Sequence, residues 1–530
     1  MSVRVRFAPS PTGKVHIGNI RTAIFNWLYA RHTGGAFLLR VEDTDLERST
    51  PEAVQALMEC MDWLKLDFDE EIMYQSKRRS EHEAAVAGLI EQGHAYRPPA
   101  KDGEPTPVIF RIPVEGEGMP MIREVGSAET VVHEESPVVI DVTGLSYAQV
   151  SRKGKPVPQA CCLAGVRELK LYNAAGELLF ELEPEFGAVL SGEKSFEVEN
   201  CAKMTFLRRE IFYTDLIKGE MSKPLDSMKD QVIVRSDGSP VFHIANVCDD
   251  MAQNVTHIIR GDDHVENTYR HQMLFQALGY APPAYAHMPM IVNDSGKPFS
   301  KRDGDAFVGD FRDKGFLPDA FFNYLSLLGW SPGDDREKMS RDEMIEAFTI
   351  ERVKSAPAQF DIKKLLDMNG DYINDMSVAE FSAAARKFYP GEVDDADFAA
   401  VAAAMQGRTN VLTDVAGWEY FFSGDFDYPE KQFGKQYKKD EVRAGMNLLA
   451  GIIAKAEDFT AETAMSCLKQ ATAEAGLGEY QLFQPLRLAL SGATSGLDLE
   501  EMAALLGKDV CVERINRAVR FYEEKMSAEG

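Results

Sequence analysis

Cysteine is scarce and unorganised in this chain of 530 residues: the seven at Cys60, Cys161, Cys162, Cys201, Cys248, Cys467 and Cys511 form no C-x-x-C pair. That absence argues against a disulfide framework and a cysteine-held zinc ribbon, and it fits a reducing cytoplasm. No apolar run is long enough to cross a bilayer, and the start lacks a charged segment followed by an apolar stretch. Neither a membrane span nor a signal peptide is therefore expected. Basic surplus is also lacking: 58 Lys and Arg stand against 84 Asp and Glu, a formal net charge of −26. This speaks against non-specific attraction to nucleic acid but leaves room for a local basic face. Phe206–Arg209 (FLRR) and Lys431–Lys439 (KQFGKQYKK) could supply one, and an ordinary solvated surface would look the same. Internal repeats and low-complexity tracts are not evident. The remainder is ordinary globular composition, 45% hydrophobic and 27% charged, at a length that calls for several cores.

The first thirty residues carry the first positive signal. Val3–Ala8 alternates and reads as a buried strand; Asn19 can cap a helix to about His32, with Ile20, Ile24, Trp27 and Leu28 on one face and Gly34-Gly35 ending it. Ala36–Val41 then reads as a second strand, parallel to the first. The rigid loop Pro9-Ser10-Pro11-Thr12-Gly13 thus falls at the carboxyl end of a βαβ unit, where open α/β sheets bind ligands. Helices follow near Pro51–Leu64 and Lys77–Gln92. From about Arg97 to Gln231 short β-branched runs alternate with Gly, Pro, Asp and Asn, the pattern of antiparallel strands. An α/β pattern resumes at Val232, with a helix over Tyr269–Leu278 and a strand at PMIV near Met290. Beyond Phe316 the pattern is helical to the end.

Four stretches could do chemistry. In His16–Asn19 (HIGN), Gly18 permits close approach of a phosphate, the helix start offers unpaired N–H groups, and His16 could donate to a phosphoryl oxygen. In Gly296–Phe307 (GKPFSKRDGDAF), Lys301 and Arg302 suit a triphosphate, and Ser300 adds a hydroxyl. In Arg40–Asp45 (RVEDTD), Glu42 could accept from an ammonium group. In Ile259–His264 (IRGDDH), Arg260 offers a planar fork for a carboxylate, and Arg6 points a second guanidinium from the first strand. Taken singly, these also read as a helix cap, a basic turn and acidic loops. Together, two arginines and a glutamate complement an amino acid with two carboxylates and one ammonium.

In order and separation, RFAPSPTG-x-x-HIGN, SDG-x-P, IIRGDDH and SKRDGD resemble the class I aminoacyl-tRNA synthetases, specifically the bacterial-type glutamyl branch. GWSPGDDRE, FDIKKL with NG, and LFQPLRLALSG extend the resemblance over about Val3–Tyr96 and Ile211–Val519. It implies an α/β Rossmann-like (HUP-type) catalytic domain over 1–96 and 232–315, interrupted at 97–231 by an α+β acceptor-binding domain. A stem-contact region over 316–375 and a helical anticodon-binding region over 376–530 would make an all-α C-terminal half. The implied activity is a glutamate–tRNA ligase: ATP, with Mg2+ as its substrate complex, activates L-glutamate, and the acyl group passes to tRNA(Glu), with tRNA(Gln) left open. A non-enzymatic tRNA-binding paralogue and a small-molecule nucleotidyltransferase are the alternatives. A cytoplasmic monomer is expected.

By the same resemblance, His16, Gly18, Asn19, Ser300, Lys301 and Arg302 bind ATP, with His16 and Lys301 catalytic. Arg6, Ala8, Ser10, Glu42, Phe242, Asn246 and Arg260 form the glutamate pocket, Arg6 being assigned to the side-chain carboxylate. Arg408 is a candidate for reading the anticodon. Departures from the family pattern are Asn19 in place of histidine, Pro298 where a lysine is usual with Lys297 one place early, and Phe242 in place of tyrosine. AYRPPAKDGEPTP has no cysteine, so zinc is not expected there. About Gly118–Arg208 is additional β-rich sequence, expected to be an inserted subdomain that either touches tRNA or a protein partner or is a peripheral ornament.

Overall fold

A computed structural model describes the chain except residues 1, 46–47, 101–103, 114–119, 133–136, 142–143, 151–155, 301, 425 and 527–530, with backbone alone for 144–150, 156–161 and 525–526. Val5 and Phe7 are buried in strand β1 (Arg4–Phe7), which runs into helix α1 (Ile17–Thr33) and returns as β2 (Ala36–Val41). β1 pairs in parallel with β2, from Arg4 opposite Ala36 to Phe7 opposite Leu39, and β2 pairs in parallel with β3 (Met73–Tyr74). Two glycines make the return possible. Gly34 closes α1 at φ 63°, a left-handed conformation suited to glycine, and a Cβ on Gly35 would lie 2.4 Å from the Val3 carbonyl oxygen.

His16, rather than the expected Asn19, caps α1: its backbone is extended and its Nδ1 accepts from the Gly18 N–H at 3.1 Å. Residue 16 lies one residue ahead of the first helical residue, so its side chain reaches the second N–H of the first turn, while Asn19 is already inside the helix.

A second parallel pair, His257–Gly261 with Ala284–Met288, lies beside β1. Arg4 N–H donates to Thr256 Oγ1, and the Thr256 N–H donates back to the Arg4 carbonyl. The expected strand at PMIV is only Ile291–Val292; the principal strand is the preceding AYAHM, whose central positions are all buried and so show no alternation. The helix expected over Tyr269–Leu278 starts earlier, at Val265. VIVR does not reopen the parallel sheet: Gln231–Val234 pairs antiparallel with Val108–Phe110.

Between these halves the β-rich segment forms antiparallel ladders. The strand Lys203–Asp215 pairs antiparallel with Ile122–Val131, Val166–Tyr172 and Gly219–Pro224, then meets Tyr285 in parallel at Asp215. It therefore runs from the β-rich segment into the parallel sheet. FLRR lies on this strand and is not a basic patch: alternation sends Phe206 inward, and a shift of register between Arg208 and Arg209 turns Arg209 inward as well. Burial lowers the Arg209 guanidinium to about 10, and the group donates to the Ala164 carbonyl.

Two compact units result, residues 1–309 with 325–360, and residues 310–324 with 361–530. The second is helical. Its core holds Phe381, Trp418, Phe433, Tyr437, Leu449 and Ile515, and its helices include Asp440–Ala454, Ala461–Glu474 and Lys508–Phe521. In KQFGKQYKK, Phe433 and Tyr437 are buried while Lys431, Lys435, Lys438 and Lys439 are exposed, an amphipathic pattern. Among the described residues beyond Phe316 the one strand is the two-residue Ala358–Gln359, in the first unit, paired with Ile291–Val292. No helix among the described residues is long and apolar enough to cross a membrane.

Candidate active site

A cavity of about 650 Å³ opens at the carboxyl ends of β1 and of the strand His257–Gly261. The rigid loop forms part of its wall. Pro9 lies two residues beyond the end of β1, and its carbonyl accepts the Glu42 N–H at 3.0 Å, tying the loop to the end of β2. Ala8, Ser10 and Thr12 face the space, and α1 adds His16, Gly18, Asn19, Arg21 and Thr22. On the helix Phe242–Ala252, Phe242, Asn246 and Asp250 recur at four-residue intervals and share one face; the first two line the cavity.

Beneath the lining lies a charge network. Arg6 donates to both Asp250 carboxylate oxygens, at 2.9 and 3.3 Å, and Arg40 donates to the same carboxylate, to Gln253 and to Glu42 Oε1 at 3.1 Å. Burial alone would raise the Asp250 carboxyl, but Arg40 and Arg6 outweigh it and hold it below the usual range. Asn246 also donates to Glu42 Oε1, at 2.8 Å, so Glu42 Oε2 is uncommitted among the described residues. Asn246 Oδ1 is buried without a hydrogen-bond partner. Both atoms are acceptors suited to an ammonium group.

Arg260 differs from Arg6 and Arg40. Its Nε donates to His287, and its Nη2 donates to Thr268 Oγ1 at 2.6 Å and to the His264 carbonyl; no carboxylate bonds to it among the described residues. Burial pushes its guanidinium below the ordinary value. A buried cation without a counter-charge is costly, so this position is primed to take an anion. Phe242 covers the same end, its ring stacked on that of His264 at 6.0 Å.

His16 presents one defined proton. Its Nδ1 accepts from Gly18, and burial lowers its pKa, so the neutral ring carries hydrogen on Nε2 and can donate there. The expectation of unpaired N–H groups at the start of α1 is corrected. Ile17 donates to the Ala306 carbonyl, Gly18 to His16 Nδ1, and Asn19 and Ile20 to the His16 carbonyl. The helix dipole and the imidazole remain to receive an anion.

Arg6, Ala8, Ser10, His16, Gly18, Asn19, Glu42, Phe242, Asn246 and Arg260 thus all line one cavity. Among the described residues of the second stretch only Pro298 and Phe299 do so. The Ser300 hydroxyl is not a free donor, because it donates to Asp303 Oδ2, which also takes the Ser300 N–H. Arg302 is exposed, and Lys301 lies outside the described residues. Arg408, in the helical unit, is ion-paired with Asp498 at 3.0 Å. Sequence reasoning did not assign Arg21, Asp262, Asp263, His264 or Asn267 to the lining, nor Arg40 and Asp250 to the network beneath it. The four-residue spacing of Phe242, Asn246 and Asp250 was the available signal for Asp250.

Comparison with known proteins follows the same geography. The family "tRNA synthetases class I (E and Q), catalytic domain" matches residues 2–104 and 193–367, and "Anticodon binding domain" matches 380–519. Among curated relatives, a glutamate–tRNA ligase of Burkholderia vietnamiensis is 36% identical over 98% of this chain and 99% of its own. Glutamate–tRNA ligase 1 of Caldanaerobacter subterraneus subsp. tengcongensis is 34% identical over 99% of each. The crystal structure of a glutamate tRNA ligase from Elizabethkingia meningosepticum, in complex with its amino acid, superposes with a TM-score of 0.71. It is 28% identical, over 98% of this chain and 99% of that one. The catalytic family match leaves out residues 105–192, most of the β-rich stretch.

Proposed function

The chain belongs to the class I tRNA synthetases for glutamate and glutamine, and from that membership we infer that it is a glutamate–tRNA ligase. The observation that carries the substrate assignment is the pairing, in one cavity, of Arg260 without a carboxylate partner and the open acceptors Asn246 Oδ1 and Glu42 Oε2. An α-amino acid with an acidic side chain complements that set. Ammonium falls to Glu42 and Asn246, and the carboxylates fall to Arg260 and Arg6.

The reaction needs position and charge stabilisation rather than a protein nucleophile. The α-carboxylate oxygen of glutamate attacks the α-phosphorus of ATP, the bond to pyrophosphate breaks, and glutamyl-adenylate forms. A hydroxyl of the terminal tRNA ribose then attacks the acyl carbon, and AMP departs. His16 Nε2–H donates to a phosphoryl oxygen as charge accumulates there, with the start of α1 adding its dipole. Gly18 and Asn19 flank the nucleotide. Ser300, Lys301 and Arg302 take the polyphosphate that brings Mg2+ with it, and Ser300 must exchange its bond to Asp303 to take part. No cluster of three or more His, Cys, Asp or Glu side chains suited to a metal occurs among the described residues.

The acceptor end of tRNA is assigned to the segment 97–231, the stem to 316–375 and the anticodon to 376–530, with Arg408 a candidate reader. The match of 380–519 to an anticodon-binding family supports the last of these. The paralogue and nucleotidyltransferase alternatives are disfavoured by ligase relatives that span the whole chain. Charging of purified tRNA(Glu) and tRNA(Gln) with glutamate and ATP tests the assignment: tRNA(Glu) is expected to be glutamylated, and failure with both overturns it. Lys301→Ala is expected to lower adenylate formation about 10²-fold or more, on the scale of losing a transition-state donor.

A further inference from the structure

Arg260 is aligned by groups that never reach the cavity. His287 is fully buried and absent from the lining, yet its Nε2 lies 3.2 Å from Arg260 Nε and 3.0 Å from Thr268 Oγ1. Its other nitrogen, Nδ1, is 2.6 Å from Asp215 Oδ2. Asp215 ends the long strand Lys203–Asp215, and its carboxylate also accepts the backbone N–H groups of Ile217, Lys218 and His287. Burial would raise this carboxyl, but the His287 hydrogen bond leads the groups that hold it low, so it remains an ionised acceptor. An acceptor-only carboxylate requires the proton on Nδ1, and a neutral ring then leaves Nε2 bare to receive Arg260 Nε–H. The Tyr285 ring lies parallel to the imidazole at 6.0 Å and 5.4 Å from the Arg260 guanidinium carbon. With Nε and Nη2 both engaged, Nη1 is the one guanidinium nitrogen of Arg260 without a partner among the described residues.

We propose that Asp215 and His287 form a buried positioning pair that sets the orientation of Arg260 through the bare Nε2, and thereby the affinity of the cavity for the amino-acid carboxylate. The proposal rests on the ligase assignment and extends it to two residues that touch no substrate. A pair that only filled space would give the same fold when replaced by a side chain of similar volume, with no preference between substrates. A positioning pair gives a selective loss for the amino acid.

The test is glutamate-dependent ATP–pyrophosphate exchange with tRNA present, measured for His287→Leu, His287→Gln, His287→Asn and Asp215→Asn beside the parent chain. His287→Leu keeps bulk and removes the acceptor. It is expected to raise KM for glutamate about 10- to 100-fold, the scale of one hydrogen bond to a charged group, with KM for ATP within about twofold. Gln places an oxygen within reach of Arg260 Nε and is expected to restore most of the affinity, whereas Asn is too short and is expected to remain impaired. Asp215→Asn can offer an N–H to Nδ1, turning the ring's proton toward Arg260, and is expected to resemble Leu. A glutamate KM within twofold of the parent for Leu, or equal rises in both KM values, overturns the pair. Should the Leu variant fail to fold, the Gln–Asn contrast decides, and equal KM values there overturn it. A parent chain without glutamate-dependent exchange would overturn the ligase assignment instead.

Discussion

The mixed sheet unit and the helical unit bury different chemistry. The first encloses Arg6, Arg40, Glu42, Asp249, Asp250, Asp215 and Arg260, whereas Arg514 is the one charged side chain buried in the second among the described residues. All ten histidines precede residue 288, so none falls in the helical unit. Enclosing charge is expensive unless every charge is matched, and hydrophobic packing would hold a fold more cheaply. The first unit accepts that expense where a charged small molecule must be received, and the second is held by Phe381, Phe433, Leu449 and their neighbours.

The sharpest way to break the contrast is Asp250→Ala. It leaves Arg6 and Arg40 buried against each other without their shared counter-charge, and is expected to cost about 3–5 kcal/mol in urea denaturation. A loss under about 1 kcal/mol would mean the network is not what holds this end of the sheet. Leu449→Ala in the helical unit is expected to cost about 2–5 kcal/mol through its cavity, equally at pH 7 and pH 5.

Acidification should separate the units. Burial lowers His271 well below its ordinary 6.5 and His243 to about 4, with neighbouring cations adding to both. Their folded values lie below the unfolded one, so the unfolded chain binds protons first and stability falls as pH drops from about 6.5 towards 4. A buried imidazole still neutral at pH 5 costs about 2 kcal/mol there. Hydrogen exchange at the two pH values should show the loss in the sheet unit and not in the helical one. The smallest effect is Ser377→Ala, which removes the capping box of Val378–Arg386 and is expected to cost about 1 kcal/mol by thermal denaturation.

How much of this was legible in the sequence follows the same division. Asp440–Ala454 and Ala461–Glu474 were readable because one face of each meets a core and the other meets water, leaving a helical period. α1 was readable chiefly through its punctuation, the loop before it and Gly34-Gly35 after it, because it buries Arg21, Asn26 and Phe25 as well as the face expected. Ala284–Met288 was missed for the related reason that a strand covered on both sides has no alternation. In the candidate site, residue types pointed to Arg6, Glu42, Asn246 and Arg260, but not to who holds whom. Asp250 sits 244 positions from Arg6 and 210 from Arg40, a distance at which no local pattern speaks. The capping role of His16 likewise depended on a shift of a few residues in where the helix begins.

That long separation also sets a timetable. A ribosome adding roughly 5–20 residues per second needs about 12–50 s to travel from Arg6 to Asp250. Through that interval β1 and β2 can meet, but the acid that neutralises both of their arginines has not yet been made. The nascent sheet must wait with Arg6 uncompensated and Arg40 held by Glu42 alone, kept wet, while the whole β-rich segment is synthesised and has time to pair its own antiparallel strands. The active end of the molecule is therefore expected to be the last part of its unit to dry.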